Sequence, residues 1–461
     1  MKQKNSEEGL VALEVHDRAE RPVFVAAAWH SLAWLATANL VGVLLAILLL
    51  FPGLNHWLGT WTYGRWMPVH INLQLYGWCS LPLVAFLMKV YQVDSAPAAQ
   101  WSRTAFWTWS AALGIGSLSW LTGHSSGKLF LDWTGFARVV FPLAILLLWL
   151  LLAWSLRRHW NDQENLLPRT RVLKVAGLAL LFFVPLALYW SADPAVYPPV
   201  NPDTGGPTGT SQLESTLAIV AILLTLPFGI SRRKPASRRW FLIAGVVFAA
   251  EALLCLVIGR GSVSHHRPAQ FLSLGSVKLW VPLVPAYYGG FEWARSTRRR
   301  RLTWLVWWAV LVPSGWCLFL PGVLDHFKYT DGLVGHALMA MAGFVTSFLI
   351  FVLVALLGED GVIFEAKWAF VAWQASTASY IAIMLIAGWM EGNSPMFNMV
   401  PGTGRNVIYS VRLALGTLMT IASLSWLLRA SRLALAPSPK VNPEMSTELA
   451  SVRDLAGAKT L

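Results

Sequence analysis

Charge is scarce in this chain of 461 residues: only 13% are Asp, Glu, Lys or Arg, against 56% hydrophobic residues. A soluble domain carries about a quarter charged residues, so the scarcity excludes an ordinary soluble fold and points to a chain whose solvent is lipid. Cysteine is scarce as well. The three present, Cys79, Cys255 and Cys317, stand in apolar runs without paired spacing and give no signal of a disulfide framework or a zinc site. No Cys-x-x-Cys-His stretch for attaching a c-type haem is present. Residues 1–29 are polar and mixed in charge, with no short signal-peptide core.

Long apolar runs are what the chain has instead. Stretches near the spanning length of about 20 residues occur around 31–52, 67–91, 104–122, 137–156, 172–191, 211–230, 240–259, 269–289, 303–321, 333–357, 369–390 and 406–428. The reading is an all-α integral membrane protein of twelve transmembrane helices. Residues 1–29 form an N-terminal segment, 30–430 the membrane domain and 431–461 a disordered tail rich in Pro, Ser and Glu. No short repeat is visible.

The net charge of +13 does not indicate nucleic acid, because the basic residues are gathered in short loops. Arg157, Arg158, Arg169 and Arg171 follow the fourth run. Arg232, Arg233, Lys234, Arg238 and Arg239 follow the sixth, and Arg295 and Arg298 to Arg301 the eighth. Loops after odd-numbered runs are poor in Lys and Arg. By the positive-inside rule both termini are expected in the cytoplasm, with the chain in a cell's inner (cytoplasmic) membrane.

That orientation gives depth to the ionisable residues. His70, Glu214 and His336 each lie a few residues into an even-numbered run, and His265 and His266 sit between runs seven and eight. Four histidines and a carboxylate are thereby expected at one outer membrane level. Ionisable groups within spans mark function by default, and imidazole with carboxylate suits iron, copper or zinc. Each residue also has a structural reading: a loop pair for His265 and His266, a helix start for Glu214, a backbone bond for His70. Asn72, Gln74, Glu251, Lys278 and Arg412 are further polar residues inside spans. Lys278 and Glu251 suit either a proton path or a link between helices.

Twelve runs, a histidine in the second, His265–His266 after the seventh and GHALMAMAGF (335–344) opening the tenth resemble the catalytic subunit of the haem–copper oxidase superfamily. The nearest branches are the C-type cytochrome oxidases and the nitric-oxide reductases. The resemblance covers about residues 30–430 and includes RWMPVHINLQLYGW (65–78), with Arg65 ahead of His70. It implies a low-spin haem on His70, a high-spin haem on His336 and a non-haem iron or copper on His265 and His266. It also implies haem propionates near His326, Lys328 and Arg405.

The chain departs from that pattern at several points. The family places a second histidine two residues after the first in span ten, where this chain has Leu338; Met341 is a candidate thioether in its stead. Span six lacks the family's metal histidine, and Thr210 and Glu214 have the spacing of the reductases' histidine and glutamate, which makes Glu214 a candidate third ligand. Spans six and seven hold no tyrosine for the oxidases' redox crosslink. The resemblance implies reduction of a small gas, oxygen or nitric oxide, by one or two haems and a second metal, with electrons from a cytochrome c-type or other membrane subunit. Two readings compete with it: a degenerate paralogue serving electron transfer or assembly, in which His70 and His336 share a single haem, and a twelve-span transporter. A transporter places its site at the midplane between repeats, unlike this outer histidine group.

Overall fold

The computed structural model describes residues 2–93, 98–160, 168–202, 205, 213–259, 264–394, 396–397 and 402–436, the side chains of 2–21, 99, 168 and 169 apart. Of the expected tail, 431–461, residues 431–435 continue the last long helix and 437–461 lie outside this description, as does Thr210. The described chain is almost wholly helical. Its long helices are α1 (Lys2–Leu50), α2 (Tyr63–Val90), α3 (Ala98–Leu121), α4 (Ala137–Arg158), α5 (Pro168–Ser191) and α6 (Leu213–Ile230). They continue with α7 (Arg238–Ile258), α8 (268–289), α9 (Arg298–Leu318), α10 (Asp331–Phe364), α11 (Lys367–Asn393) and α12 (Thr403–Leu435).

Among the described residues, nine helices are long and apolar enough to cross a membrane. Three of the expected spans, α3, α8 and α9, are helical but fall short of that measure. Trp and Ser dilute α3, α9 opens on the four arginines Arg298 to Arg301 and carries four tryptophans, and α8 carries Gln270 and Lys278. The helical, multi-pass architecture stands, and the count of twelve crossings is not established by apolarity alone.

Proline inside several helices, among them Pro142 in α4 and Pro313 in α9, is tolerated because neighbouring helices can satisfy the freed carbonyls. Helix α8 changes to a tighter turn over Gly275–Leu279, where Trp316 of α9 packs on Gly275 and donates its indole N–H to the Phe271 carbonyl at 2.9 Å. Helices α1 and α12 make the most extensive pairing in the fold, joined by Trp29 to Ser431 at 3.0 Å and Asn39 to Ser423 at 3.1 Å.

Two contacts fix how α6 to α10 alternate. A two-residue strand before α7, β1 (Arg232–Arg233), pairs antiparallel with β2 (Phe291–Glu292) between α8 and α9. At the other ends, the segment before α8 meets the one before α10, because His265 and His266 both touch Asp325. Consecutive loops thus fall at opposite ends of α7, α8 and α9, as an up-and-down bundle requires. Asp325 belongs to a short helix, Val323–Phe327, started by Gly322 at φ +79, a left-handed backbone that favours glycine.

Candidate functional site

The candidate metal centre begins with His265 and His266 in the short segment that leads into α8 at Pro268. Their rings lie 3.9 Å apart. His266 is exposed and its Nε2 stands 2.8 Å from Asp325 Oδ2. His265 is fully buried, and its Nε2 lies 3.0 Å from Asp325 Oδ1 without the alignment of a hydrogen bond. Neither ring nitrogen of His265 has a hydrogen-bond partner. A buried polar atom is normally paired, so an imidazole with Nε2 in ion-pair contact alone and Nδ1 without a partner is a candidate for holding a ligand. One nitrogen from each histidine and one oxygen of Asp325 lie within 4.8 Å of one another. Lys328 closes the group, with Nζ 3.0 Å from Asp325 Oδ1. Partial burial works to raise the Asp325 carboxyl, but hydrogen bonds from His266 and Lys328 and the nearby His265 imidazole outweigh it and hold the group well below the usual carboxylate range.

Two histidines and one carboxylate form a donor set suited to iron. The carboxylate, however, is not the expected one. Glu214 is exposed at the start of α6 and does not join the three residues. Asp325 was legible only by side: loops seven–eight and nine–ten share an expected membrane face, and LPGVLDHFKYTDG contains the carboxylate. His326 is turned away from the group onto α11, its ring against Gly392 and Trp389.

His70 and His336 are each presented by a helix that changes pitch. In α2 a π segment runs over Leu73–Cys79, three residues beyond His70. In α10 a second π segment runs over Met339–Val345, three residues beyond His336. Such bulges are frequent at functional sites. The His70 ring lies against Gly42 of α1, where a Cβ would come within 2.7 Å of Cε1. Its Nδ1 meets the Ala38 carbonyl at 2.7 Å. A carbonyl only accepts, so Nδ1 carries the proton and the Nε2 lone pair is free, which is the tautomer of a metal-binding imidazole held by its second nitrogen. The His336 ring lies against Gly315 of α9, with 3.1 Å to a Cβ there, and makes no hydrogen bond among the described residues. Leu338 and Met341 are both half-buried; the Met341 carbonyl accepts from Thr346 Oγ1 at 2.8 Å.

The remaining polar residues are held within the bundle. Asp331, at the start of α10, pairs with Arg412 of α12 at 2.9 Å, both largely buried. The Trp280 indole donates to Glu251 Oε2 at 2.6 Å, while Oε1 has no partner. Lys278 is exposed, its ammonium 3.4 Å from the centre of the Trp316 ring. Arg405 lies over Tyr409 and reaches the Leu49 carbonyl at 3.3 Å.

No family model matches the chain, and no curated protein matches it. Among solved structures it is similar to the cryo-EM structure of a haem–copper terminal oxidase dimer, with TM-score 0.49 and 16% identity over 92% of this chain and 85% of that one.

Proposed function

We propose that this multi-pass membrane protein is an oxidoreductase subunit with a non-haem iron on His265, His266 and Asp325 and haem on His70 and His336. The twelve helices would all cross an inner membrane, with both termini cytoplasmic and the iron group on the outer side. The observation that carries this reading is His265: a fully buried imidazole without a hydrogen bond at either nitrogen, converging with His266 and Asp325. A two-histidine, one-carboxylate set favours iron over copper, and with it reduction of nitric oxide over oxygen. Supporting haem at His70 is a ring anchored through Nδ1 with Nε2 free, in a space that any side chain at residue 42 would fill.

Bound haem and iron would supply electron transfer and an open position for a small gas. The chain's own part is to hold His265, His266 and Asp325 at the mouth of α8 and to keep the His70 tautomer fixed. Met341 is proposed as a thioether ligand in the place left by Leu338. With no c-type attachment sequence, electrons would come from a partner membrane subunit. Leu338 also favours a second reading, a non-catalytic paralogue with fewer ligands, which would bind haem without an open position.

Iron and haem are to be quantified per chain in detergent-purified protein. Asp325→Ala and His265→Ala should each remove one iron and leave haem unchanged. A carbon-monoxide difference spectrum should be lost in His336→Ala, and a Met-to-iron charge-transfer band in Met341→Ala. Wild-type protein without non-haem iron would overturn the metal reading. Haem that binds no carbon monoxide would leave the paralogue.

A further inference from the structure

The surroundings of His70 and His336 repeat one another across three helices. Trp34 of α1 precedes Gly42 by eight residues, and Trp307 of α9 precedes Gly315 by eight. Gly42 faces His70 and Gly315 faces His336. Seven residues beyond each histidine, inside the π segment, stands a glycine: Gly77 against Trp34, and Gly343 against Trp307. Ten residues beyond each stands a hydroxyl that donates five residues back, Ser80 to the Leu75 carbonyl at 2.9 Å and Thr346 to the Met341 carbonyl at 2.8 Å.

The third helix repeats as well. Trp109 of α3 donates its indole N–H to the Tyr76 carbonyl at 2.8 Å, and Trp373 of α11 donates to the Ala342 carbonyl at 3.0 Å. Both carbonyls lie six residues beyond the histidine. The residue after each of these tryptophans then accepts from the first: Trp34 to Ser110 at 3.0 Å, Trp307 to Gln374 at 2.6 Å. Indole packing alone does not select the same carbonyl, the same hydroxyl register and the same acceptor twice.

We infer that α1–α3 and α9–α11 are two copies of one histidine-presenting unit, in which the repeated hydroxyl and indoles are positioning residues for His70 and His336. A π segment breaks the regular backbone ladder and leaves carbonyls to be satisfied from outside it. In each copy the carbonyls five and six residues past the histidine are taken by the hydroxyl and by the third helix's tryptophan. The pitch change is thereby pinned three residues from the imidazole and sets how the ring is turned toward its ligand. This rests on the proposed ligand role of the two histidines.

The test is histidine-selective 15N NMR of the full-length protein in detergent, with signals assigned through His70→Gln and His336→Gln. Ser80→Ala should move the His70 imidazole signals and leave those of His336 in place. Thr346→Val should move the His336 signals more than those of His70, with any His70 shift matched by Trp78→Phe because the Trp78 indole donates to Thr346 Oγ1, and Thr346→Ser should restore the wild-type spectrum. Variants that move neither ring, or move both alike, would overturn the inference. Haem content, measured separately on the same samples, decides the proposed cofactor: protein without haem sinks that reading while the imidazole shifts still judge the repeat.

Discussion

The two copies share a frame and differ in what is attached to it. In the first, His70 is tied through Nδ1 to the Ala38 carbonyl. In the second, His336 has no such tie among the described residues. Five residues before each histidine the charges are opposite: Arg65 donates to the Leu121 carbonyl at 3.0 Å, while Asp331 pairs with Arg412 of α12. The frame therefore fixes helix pitch and spacing, and the local partners tie one ring to a backbone carbonyl and leave the other without such a tie. In a repeated backbone, unequal anchoring fixes the tautomer of one imidazole only.

The largest way to break the comparison lies where the copies differ. Asp331→Asn leaves Arg412 buried without its counter-charge and should cost about 3–5 kcal/mol, read as a fall in thermal unfolding temperature in detergent. Arg65→Gln in the first copy strands no buried carboxylate and should cost far less.

Where the copies agree, the costs should agree. At Gly77 a Cβ would meet Trp34 at 2.5 Å, and at Gly343 it would meet Trp307 at 2.7 Å. Valine at either position should destabilise by about 1–3 kcal/mol. A several-fold disparity between the two would argue that the packing is coincidental.

The smallest effects sharpen the picture. Ser80→Ala and Thr346→Val each leave a carbonyl unserved, about 1 kcal/mol. The Thr346 variant should cost more, since Thr346 also accepts the Trp78 indole at 2.9 Å, a hydrogen bond between the copies. Trp78→Phe, which removes only that bond, should account for the excess in a double-mutant cycle.

Much of this frame is legible in the amino-acid sequence alone. Run lengths mark the long helices, and ionisable residues in apolar runs mark His70 and His336. The dipeptide His265–His266 stands out by itself. Asp325 does not, because its role depends on a loop folding across the end of α8, and no helical spacing predicts that. Glu214 is favoured by a spacing to Thr210 and by depth, but depth along a helix says nothing about which way its side chain faces.

The repeat escapes a reading of the sequence because little of it is sequence identity. Between 70–80 and 336–346 the histidine and glycine recur, and the remaining parts are kinds of atoms: an aromatic after the glycine, a hydroxyl two positions later. The tryptophans sit on other helices at other offsets. Trp109 and Trp307 contribute to the low apolarity of α3 and α9, together with the serines of α3 and the four arginines that open α9.

Lys328 gives the histidine–aspartate group its own arithmetic of charge. With the ammonium 3.0 Å from Asp325 Oδ1, the carboxylate is neutralised by the fold itself. On the proposed metal reading, a dication arriving between His265 and His266 would meet that ammonium across a shared carboxylate, so loading would be an exchange between cations. His266 draws the short helix carrying Asp325 toward α8, so the mouth of the proposed site would need little reshaping for a guest.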